Sequence, residues 1–310
     1  MTSSMADNLP QVAVLLAAYN GMSWIEEQLA SILSQTNVHV SIFISVDPSS
    51  DGTEGWCADY AAGHESVFVL PPAGPFGGAA PNFFRLIRDV DFSTFDYLSF
   101  SDQDDIWYPD KLERAVAQLR TGNFDGYSSN VVAFWPDGRR LLVDKAQPQV
   151  AWDYLFEAAG PGCTYVLTQK LAAALKRLIA QRWEAVQNVA LHDWFCYAYA
   201  RSAGYRWFID PVPRMDYRQH LKNQVGVNAG LRSAISRVRQ VVQGWWFSQV
   251  KLIRELTLDT HCQDAVPKSL KCSGRILFLR LMIRAQECRR RRRDQFAFVV
   301  LCMLSALFRH

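Results

Sequence analysis

The chain has 310 residues, of which 49% are hydrophobic and 20% charged, and its formal net charge at pH 7 is +3. This composition excludes an intrinsically disordered protein, and the length suffices for one large domain or for one domain with an appendage. Residues 230–310 hold 16 Lys and Arg against 5 Asp and Glu, so an acidic body precedes a basic tail. Such a tail predicts contact with an anionic surface.

Apolar runs alternate with helical patterns over roughly the first third of the chain. Strands are predicted at 12–17, 40–46, 67–70 and at the apolar run 97–100 before Asp102, with helices between them. Alternation of single strands with helices implies a mostly parallel sheet that carries helices on its faces. The sequence therefore predicts an α/β fold.

The pattern changes after a predicted helix at 111–119. A Pro-Asp-Gly turn at 136–138 predicts a hairpin between strands at 127–135 and 139–143. A strand is then predicted at 163–168, followed by helices at 169–180 and 193–203. Two further strands are predicted at 205–210 and 215–220. Because the chain is predicted to be helical from residue 230, we predict two domains, at 1–229 and 230–310.

The cysteines and the N-terminus indicate a reduced, cytosolic protein. The seven cysteines are odd in number and show no CxxC spacing, which predicts neither a disulfide framework nor a zinc site. The N-terminus carries Asp7, lacks a basic segment and enters a strand pattern by Val12, so we expect no signal peptide. No stretch reaches the roughly 18 to 20 apolar residues of a membrane-spanning helix.

Three carboxylates, Asp102, Asp104 and Asp105, lie within four residues directly after the fourth predicted strand. Carboxylates at such short separation repel one another unless a cation joins them. Mg²⁺ takes one or two protein carboxylates and completes its coordination with substrate phosphates, and open α/β sheets bind ligands at the carboxyl ends of their strands. A metal and phosphate site is favoured here, and a solvated acidic turn that caps the next helix is the alternative.

Five segments occur together in the order and spacing of a known family. They are VAVLLAAYNG at 12–21, DPSSDGT at 47–53, SDQDDIWYPDKL at 101–112, HDW at 192–194 and YRQH at 217–220. Together they resemble the family 2 glycosyltransferases, and within them the bacterial rhamnosyltransferase-like group. The resemblance implies a GT-A fold with a Rossmann-like sheet, a nucleotide-diphosphate sugar donor, a divalent metal and inversion at the anomeric carbon.

The donor nucleotide is expected at the ends of the first two strands. Tyr19, Asn20 and Asp47 lie at these ends, and Asp47 could accept hydrogen bonds from the base or the ribose. Asp51 is interpreted as part of the turn that starts the next helix. Asp105 is expected to support the metal ligands or to cap a helix.

The metal is expected to be Mg²⁺ or Mn²⁺, held by Asp104 and by Asp102, which could instead contact the ribose. His220 is a candidate to complete the metal coordination. Arg218 and Lys222 are candidates to neutralise the diphosphate.

The resemblance implies that Asp193 is the general base on the acceptor side. A sugar hydroxyl is a poor nucleophile, so a carboxylate must take its proton as the new bond forms. Asp193 could equally N-cap the helix that follows, and both roles can hold together. His192 and Trp194 flank it, although His192 is more often a structural histidine, and Gly162 could let the acceptor sugar approach the backbone or form a plain turn.

The tail ends in five arginines, Arg289–Arg293, followed by an apolar run at 296–308. As a helix this run spans about 20 Å, less than the hydrocarbon core of a bilayer. We predict that it lies on an anionic membrane surface or packs on a partner, with docking on the protein's own body as the alternative. Trp245 and Trp246 are predicted to pack between tail helices, with insertion into a membrane interface as the alternative.

The resemblance also implies the partners. A saccharide acceptor, free or lipid-linked, places the protein at the inner face of the cell membrane in bacterial surface polysaccharide synthesis. A non-catalytic scaffold subunit is the alternative, and the joint presence of Asp102, Asp104 and Asp193 argues against it. The acidic body and the lack of a nucleic-acid-binding motif predict no nucleic-acid partner.

Overall fold

The computed structural model describes residues 9–220, 244–258 and 275–308. The chain folds into two compact units. The first unit comprises residues 1–146, 160–193 and 205–226, and the second comprises residues 147–159, 194–204 and 227–310. The domain boundary predicted at 229/230 lies outside the described residues and stays a prediction.

The strands of the described residues belong to two sheets. In chain order they are β1 (Gln11–Ala18), β2 (His39–Val46), β3 (Val67–Val69), β4 (Tyr97–Ser101), β5 (Ile106–Trp107), β6 (Gly126–Ser129), β7 (Val131–Phe134), β8 (Arg140–Val143), β9 (Val166–Thr168), β10 (Trp207–Asp210) and β11 (Met215–Arg218). Seven form the main sheet in the order β10-β6-β9-β4-β1-β2-β3, and four form a smaller sheet in the order β5-β11-β7-β8.

The main sheet is parallel except for one strand. β1 is parallel to β2 and to β4, whereas β9 is antiparallel to β4 and to β6. Residues 12–16 of β1 are 0% exposed, because helices cover both faces of a mostly parallel sheet. The predicted α/β fold with a mostly parallel sheet is confirmed.

The smaller sheet contains the predicted hairpin with a shorter first strand. β7 and β8 pair antiparallel across the predicted turn, but Asn130 divides the predicted strand 127–135 between two sheets. The Asn130 side chain accepts a hydrogen bond from the Lys145 amide at 2.6 Å and donates one to the Pro211 carbonyl at 3.0 Å. These bonds fix the residue at which the chain passes from the main sheet to the smaller one.

The α-helices of the described residues include the predicted ones in the same order, together with a short helix at Trp183–Val186 that was not predicted. They are α1 (Ile25–Leu33), α2 (Thr53–Ala62), α3 (Ala79–Asp89), α4 (Lys111–Gly122), α5 (Gln169–Gln181), α6 (Trp183–Val186), α7 (His192–Ser202), α8 (Trp245–Leu258), α9 (Arg275–Ile283), α10 (Ala285–Cys288) and α11 (Arg292–Phe308). α1 buries Ile25, Leu29 and Ile32 at helical spacing against the main sheet. The Thr168 hydroxyl accepts from the Leu171 amide and so caps α5.

One arginine of the run Arg289–Arg293 is buried in the protein, and the predicted binding of the run to an anionic surface stays a prediction. In the second unit, Arg290 Nη1 lies 2.9 Å from Asp153 Oδ2, with the two side chains 1% and 0% exposed. Asp153 also accepts from the Tyr197 hydroxyl at 2.8 Å and pairs with Arg201 at 3.3 Å. Arg290 therefore compensates a buried carboxylate, since a charge without a partner is costly inside a protein.

The rest of the described tail is helical, as predicted. Trp246 stacks on Phe156 and Trp194 and meets Phe298 edge to face, which confirms core packing for this residue, whereas Trp245 is 37% exposed. Among the described helices, none has both the length and the apolar character needed to cross a bilayer.

The described cysteines are free thiols. Cys57, Cys163, Cys196, Cys288 and Cys302 are all buried and form no disulfide, as the sequence predicts.

Candidate active site

The ends of β1, β2 and β4 meet at one edge of the main sheet. The register pairs Ala18 with Val46 and Leu16 with Ser101. Residues 19–20, 47 and 102 therefore follow neighbouring strands at the same edge, which is where α/β sheets bind ligands.

Asp102, Asp104 and Asp105, which we call the acidic cluster, leave β4 at this edge. Asp102 is half-buried, Asp104 is 9% exposed and Asp105 is 0% exposed. Burial, followed by the charges of Asp104 and Asp193, raises the pKa of Asp102 to about 7. Asp193 is separated from the cluster by about ninety residues of sequence. The fold brings it close through residues 162–163, because a Cβ at Gly162 would lie 3.2 Å from Asp193 Cβ and ligand atoms of Cys163 and Asp102 lie within 4.8 Å of each other.

His220 contacts the acidic cluster directly. Its Nε2 lies 2.6 Å from Asp104 Oδ2, and its ring stacks on Trp24 with the ring centroids 4.0 Å apart. Arg218 donates from Nε to the Asp104 carbonyl at 2.8 Å and from its backbone amide to Asp105 Oδ1 at 3.1 Å. Arg218 at the end of β11 and His220 just after it thus hold the acidic loop in place.

A buried base lies behind the acidic cluster. Lys111 is 1% exposed and its Nζ lies 3.3 Å from the centre of the Trp107 ring. Burial lowers the pKa of Lys111 to about 7. Burial and the neighbouring Asp104 and Asp102 charges raise the pKa of Asp105 well above its usual range. Lys111 and Asp105 are therefore the poorly solvated part of the site, while Asp102 is half-buried.

On the donor side, Gln103 joins the acidic loop to the end of β1. Its side chain accepts from the Tyr19 amide and donates to the Tyr19 carbonyl, both at 2.7 Å. The Tyr19 side chain itself is 56% exposed. Asn20 adopts a left-handed φ of 48° and its side-chain oxygen accepts from the Ser50 amide at 2.8 Å, so this oxygen holds the neighbouring turn.

Asp47 and Asp51 both organise loops. Asp47 is 7% exposed and its Oδ1 accepts from the Phe76 amide at 2.8 Å. A Cβ at Gly74, which has a φ of 107°, would lie 2.8 Å from the same oxygen. Asp51 accepts from the amides of Thr53 and Met22, which agrees with its predicted role at the start of α2.

On the acceptor side, Gly162 lies against the first turn of α7. A Cβ at Gly162 would approach His192 Nε2 to 2.5 Å and Asp193 Cβ to 3.2 Å. His192 stacks on Phe83 at 3.9 Å and is 8% exposed. Burial lowers the pKa of His192 to about 3, so the ring is neutral. The fold therefore needs a glycine here to bring the backbone against α7, and His192 fits the structural alternative.

Two predicted site residues are not brought to this cluster by the described structure. Trp194 is 3% exposed and donates from Nε1 to the Tyr154 carbonyl at 3.0 Å, within the second unit. Lys222 lies outside the described residues. Their predicted roles stay predictions.

Sequence reasoning missed Trp24, Gln103 and Lys111. Gln103 and Lys111 lie inside the motif that carries the acidic cluster, so their position was the available signal. Trp24 follows a turn and gives no sign that it stacks on a residue almost two hundred positions away.

The donor atoms fit a divalent cation. Carboxylate oxygens such as those of Asp102 and Asp104 are ligands that hard divalent cations prefer. Among the described residues, the ligand atoms that lie within 4.8 Å of one another are those of Asp102, Asp105 and Cys163, so the predicted ligand roles of Asp104 and His220 stay predictions. Burial and adjacent carboxylates raise the pKa of the Cys163 thiol well above its usual range, so it is protonated and a poor ligand for a hard cation.

Known proteins resemble the chain in sequence. The model of the Glycosyl transferase family 2 domain matches residues 13–154. The chain is 44% identical to the dTDP-rhamnosyl transferase RfbG of Shigella flexneri over 292 residues, which are 94% of this chain and 99% of that protein. It is 22% identical over 161 residues, 51% of this chain and 60% of the relative, to the Escherichia coli UDP-Glc:alpha-D-GlcNAc-diphosphoundecaprenol beta-1,3-glucosyltransferase WfgD.

A solved structure shares the fold. The mannosyltransferase PcManGT from Pyrobaculum calidifontis, in complex with GDP-Man and Mn²⁺, matches with a TM-score of 0.52 and 15% identity. The match covers 97% of this chain and 88% of that one. At this identity the likeness concerns the fold, and it confirms the predicted GT-A type.

The buried His192 predicts a pH-dependent stability. Its pKa of about 3 in the folded protein lies below the value of about 6.5 in an unfolded chain. The unfolded state therefore binds the proton, so this stabilisation is complete above pH 6.5 and is lost as the pH falls toward 3. Between pH 7.5 and pH 5 the loss is about 2 kcal/mol.

Urea unfolding at both pH values measures this loss. His192→Gln should reduce the loss between them by about 2 kcal/mol, whereas His39→Gln, at an exposed position, should leave it as in the wild type. Equal pH dependence in the wild type and His192→Gln would contradict a buried neutral imidazole.

The close approach of Gly162 to α7 gives a second prediction. Gly162→Ala should lower the free energy of unfolding by about 1 to 3 kcal/mol, because the added methyl group overpacks against His192. Gly55→Ala is the matched control, since a Cβ at this helical position meets nothing within 4 Å and should stabilise the protein by roughly 0.5 to 1 kcal/mol. If both substitutions changed the free energy of unfolding in the same direction, the close contact between Gly162 and His192 would be contradicted.

Proposed function

Since the chain belongs to glycosyl transferase family 2, we propose that it transfers L-rhamnose from dTDP-L-rhamnose to a saccharide hydroxyl with inversion at the anomeric carbon. The donor is inferred from the Shigella flexneri relative, a dTDP-rhamnosyl transferase. The observation that carries the proposal is geometric: a Cβ at Gly162 would lie 3.2 Å from Asp193 Cβ, and ligand atoms of the next residue, Cys163, and of Asp102 lie within 4.8 Å of each other. A base on one side of the donor and metal ligands on the other are the requirements of a single displacement.

Asp102, Asp104 and His220 would hold Mg²⁺ or Mn²⁺. When bound, the cation supplies positive charge to the diphosphate leaving group. The residues around these ligands support the assignment, because Arg218 holds the Asp104 backbone and Trp24 stacks on the His220 ring. Such supporting contacts fix the orientation of a metal ligand.

The donor nucleotide binds at the ends of β1 and β2. The exposed Tyr19 ring offers a face for the base, while Asp47 accepts from the base or ribose beside its bond to the Phe76 amide. Asn20 shapes the same turn through Ser50. Lys222 and Arg218 neutralise the diphosphate, with Arg218 already anchored to the acidic loop.

Asp193 takes the proton of the attacking hydroxyl. It lies in the first turn of α7, where backbone amide groups and the helix dipole favour the ionised carboxylate. Gly162 lets the adjacent backbone approach this turn. The two residues that flank the base are both held in place, because His192 stacks on Phe83 and Trp194 donates a hydrogen bond to the Tyr154 carbonyl. A transition state with oxocarbenium character then receives the hydroxyl opposite the departing diphosphate.

The acceptor is a saccharide carried on a lipid, so the enzyme works at the inner face of the cell membrane. Two observations support this part of the proposal. The Escherichia coli relative acts on a GlcNAc-diphosphoundecaprenol, and the tail of this chain is basic. Anionic lipid headgroups attract such segments.

Asp104→Asn should weaken Mn²⁺ binding about tenfold or more, because the cation loses an anionic ligand. Electron paramagnetic resonance of Mn²⁺ titrated into the full-length protein measures this without turnover. Asp59→Asn, on the exposed face of α2, should bind as the wild type does. Unchanged binding in Asp104→Asn, together with full turnover in excess EDTA, would overturn the metal assignment.

Asp193→Asn should lower turnover by roughly 10²–10⁴-fold, the usual contribution of a positioned base. The substitution is nearly isosteric and the proposed base does not touch the nucleotide, so donor affinity should be unchanged. Release of dTDP from dTDP-L-rhamnose, with and without a saccharide acceptor, measures turnover, and nuclear magnetic resonance of the product gives its anomeric configuration.

Asp59→Asn serves again as the control for Asp193→Asn. Wild-type turnover in Asp193→Asn, or a product that keeps the donor configuration, would remove Asp193 from the role. Absence of release with every nucleotide sugar would favour a scaffold subunit.

A further inference from the structure

Exposed apolar side chains are concentrated on the C-terminal helices of the second unit. Of the eleven large apolar residues that are exposed in the described part of the chain, seven lie on α8, α9 and α11. These are Trp245, Ile276, Leu279, Ile283, Phe296, Met303 and Leu307. A concentration of this kind marks a binding surface, whereas scattered single residues need no explanation.

α9 has two apolar faces, of which only one is buried. Phe278 and Leu281 are 8% and 2% exposed. Ile276, Leu279 and Ile283 follow the three- and four-residue spacing of one helical face and are 57%, 52% and 84% exposed. A helix that is apolar all round is normally enclosed, so the exposed face of α9 lacks a covering surface among the described residues.

α11 repeats this arrangement and packs against α9. Phe298, Cys302 and Ser305 are buried along one face. Phe296 and Leu307, eleven positions apart, are 72% and 63% exposed on the other, with Met303 between them. We call the six exposed residues of α9 and α11 the apolar surface.

The charge beside the apolar surface is positive. Residues 275–308 contain eight arginines and two acidic residues, Glu287 and Asp294. Although Arg289 and Arg290 bind groups of the second unit, Arg292 and Arg293 are exposed at the start of α11. An apolar stripe next to arginines is the pattern of a helix that lies in a membrane interface.

We infer that the apolar surface docks on an anionic bilayer, with α9 and α11 lying in the interface. This deepens the proposed function, in which the acceptor is lipid-linked. Two copies of the same positive surface would repel each other, which disfavours self-association through it. α11 has 17 residues and is about 25 Å long, which suits insertion along the interface better than a crossing.

Vesicle co-sedimentation of the full-length protein tests the inference. Vesicles of phosphatidylcholine alone are compared with vesicles that also contain phosphatidylglycerol, at low and high salt. The wild type should bind the anionic vesicles at least tenfold more tightly, and high salt should weaken that binding. Ile283→Asp and Phe296→Asp should each weaken it about tenfold or more, because an exposed apolar contact with the bilayer is lost.

Leu142→Asp is the matched control, since Leu142 is 52% exposed on β8 of the first unit, and it should bind vesicles as the wild type does. Thermal unfolding checks that each variant is folded. Unchanged vesicle binding in both Ile283→Asp and Phe296→Asp would overturn the inference. So would a wild-type dimer that these changes dissociate, because the surface would then bind a second copy.

Sugar transfer to a water-soluble saccharide separates this inference from the proposed function. The Ile283→Asp and Phe296→Asp variants should transfer at the wild-type rate to a soluble acceptor. Vesicle binding by a protein that transfers no sugar would support the docking surface while the proposed function fails.

Discussion

Mutual repulsion among carboxylates is the constraint that the site depends on. The acidic cluster leaves β4 as a group, and α7 brings Asp193 to it, so four carboxyl groups converge in a partly buried region, where burial and their mutual repulsion raise the pKa of Asp102 and Asp105. The protein compensates with residues from distant segments. His220 and Arg218 reach the cluster from β11 and the residue pair after it, and Lys111 lies beneath it at the start of α4. The divalent cation of the proposed function would add further positive charge to this region.

The central part of the fold could be predicted because its signal is local. A strand enclosed on both faces must be continuously apolar, and β1 is 0% exposed over residues 12–16. The break at Asn130 could not be predicted, since it depends on hydrogen bonds to Lys145 and Pro211. The burial of Arg290 within the five-arginine run could not be predicted for the same reason, because its partner Asp153 lies on a distant turn.

The candidate site could likewise be predicted only in part from the sequence. Residue type, spacing and the family resemblance predicted site roles for the acidic cluster, His220 and Asp193, since such chemistry resides in the side chain itself, and these roles stay predictions. Residue type and spacing could not reveal that Asn20 and Asp47 also bind backbone amides of neighbouring loops, or that the His192 ring is enclosed and neutral. These hydrogen bonds and this burial depend on residues that are distant in sequence, so a linear motif does not predict them.

The ion pair between Arg290 and Asp153 bears on how the tail can be dissected. Shortening the chain before residue 289 would remove Arg290 together with α11, leaving Asp153 with Arg201 as its cationic neighbour among the described residues. A truncated protein that no longer sediments with membranes could simply have a disordered second unit. Single substitutions at exposed positions distinguish an effect on folding from an effect on the proposed membrane attachment.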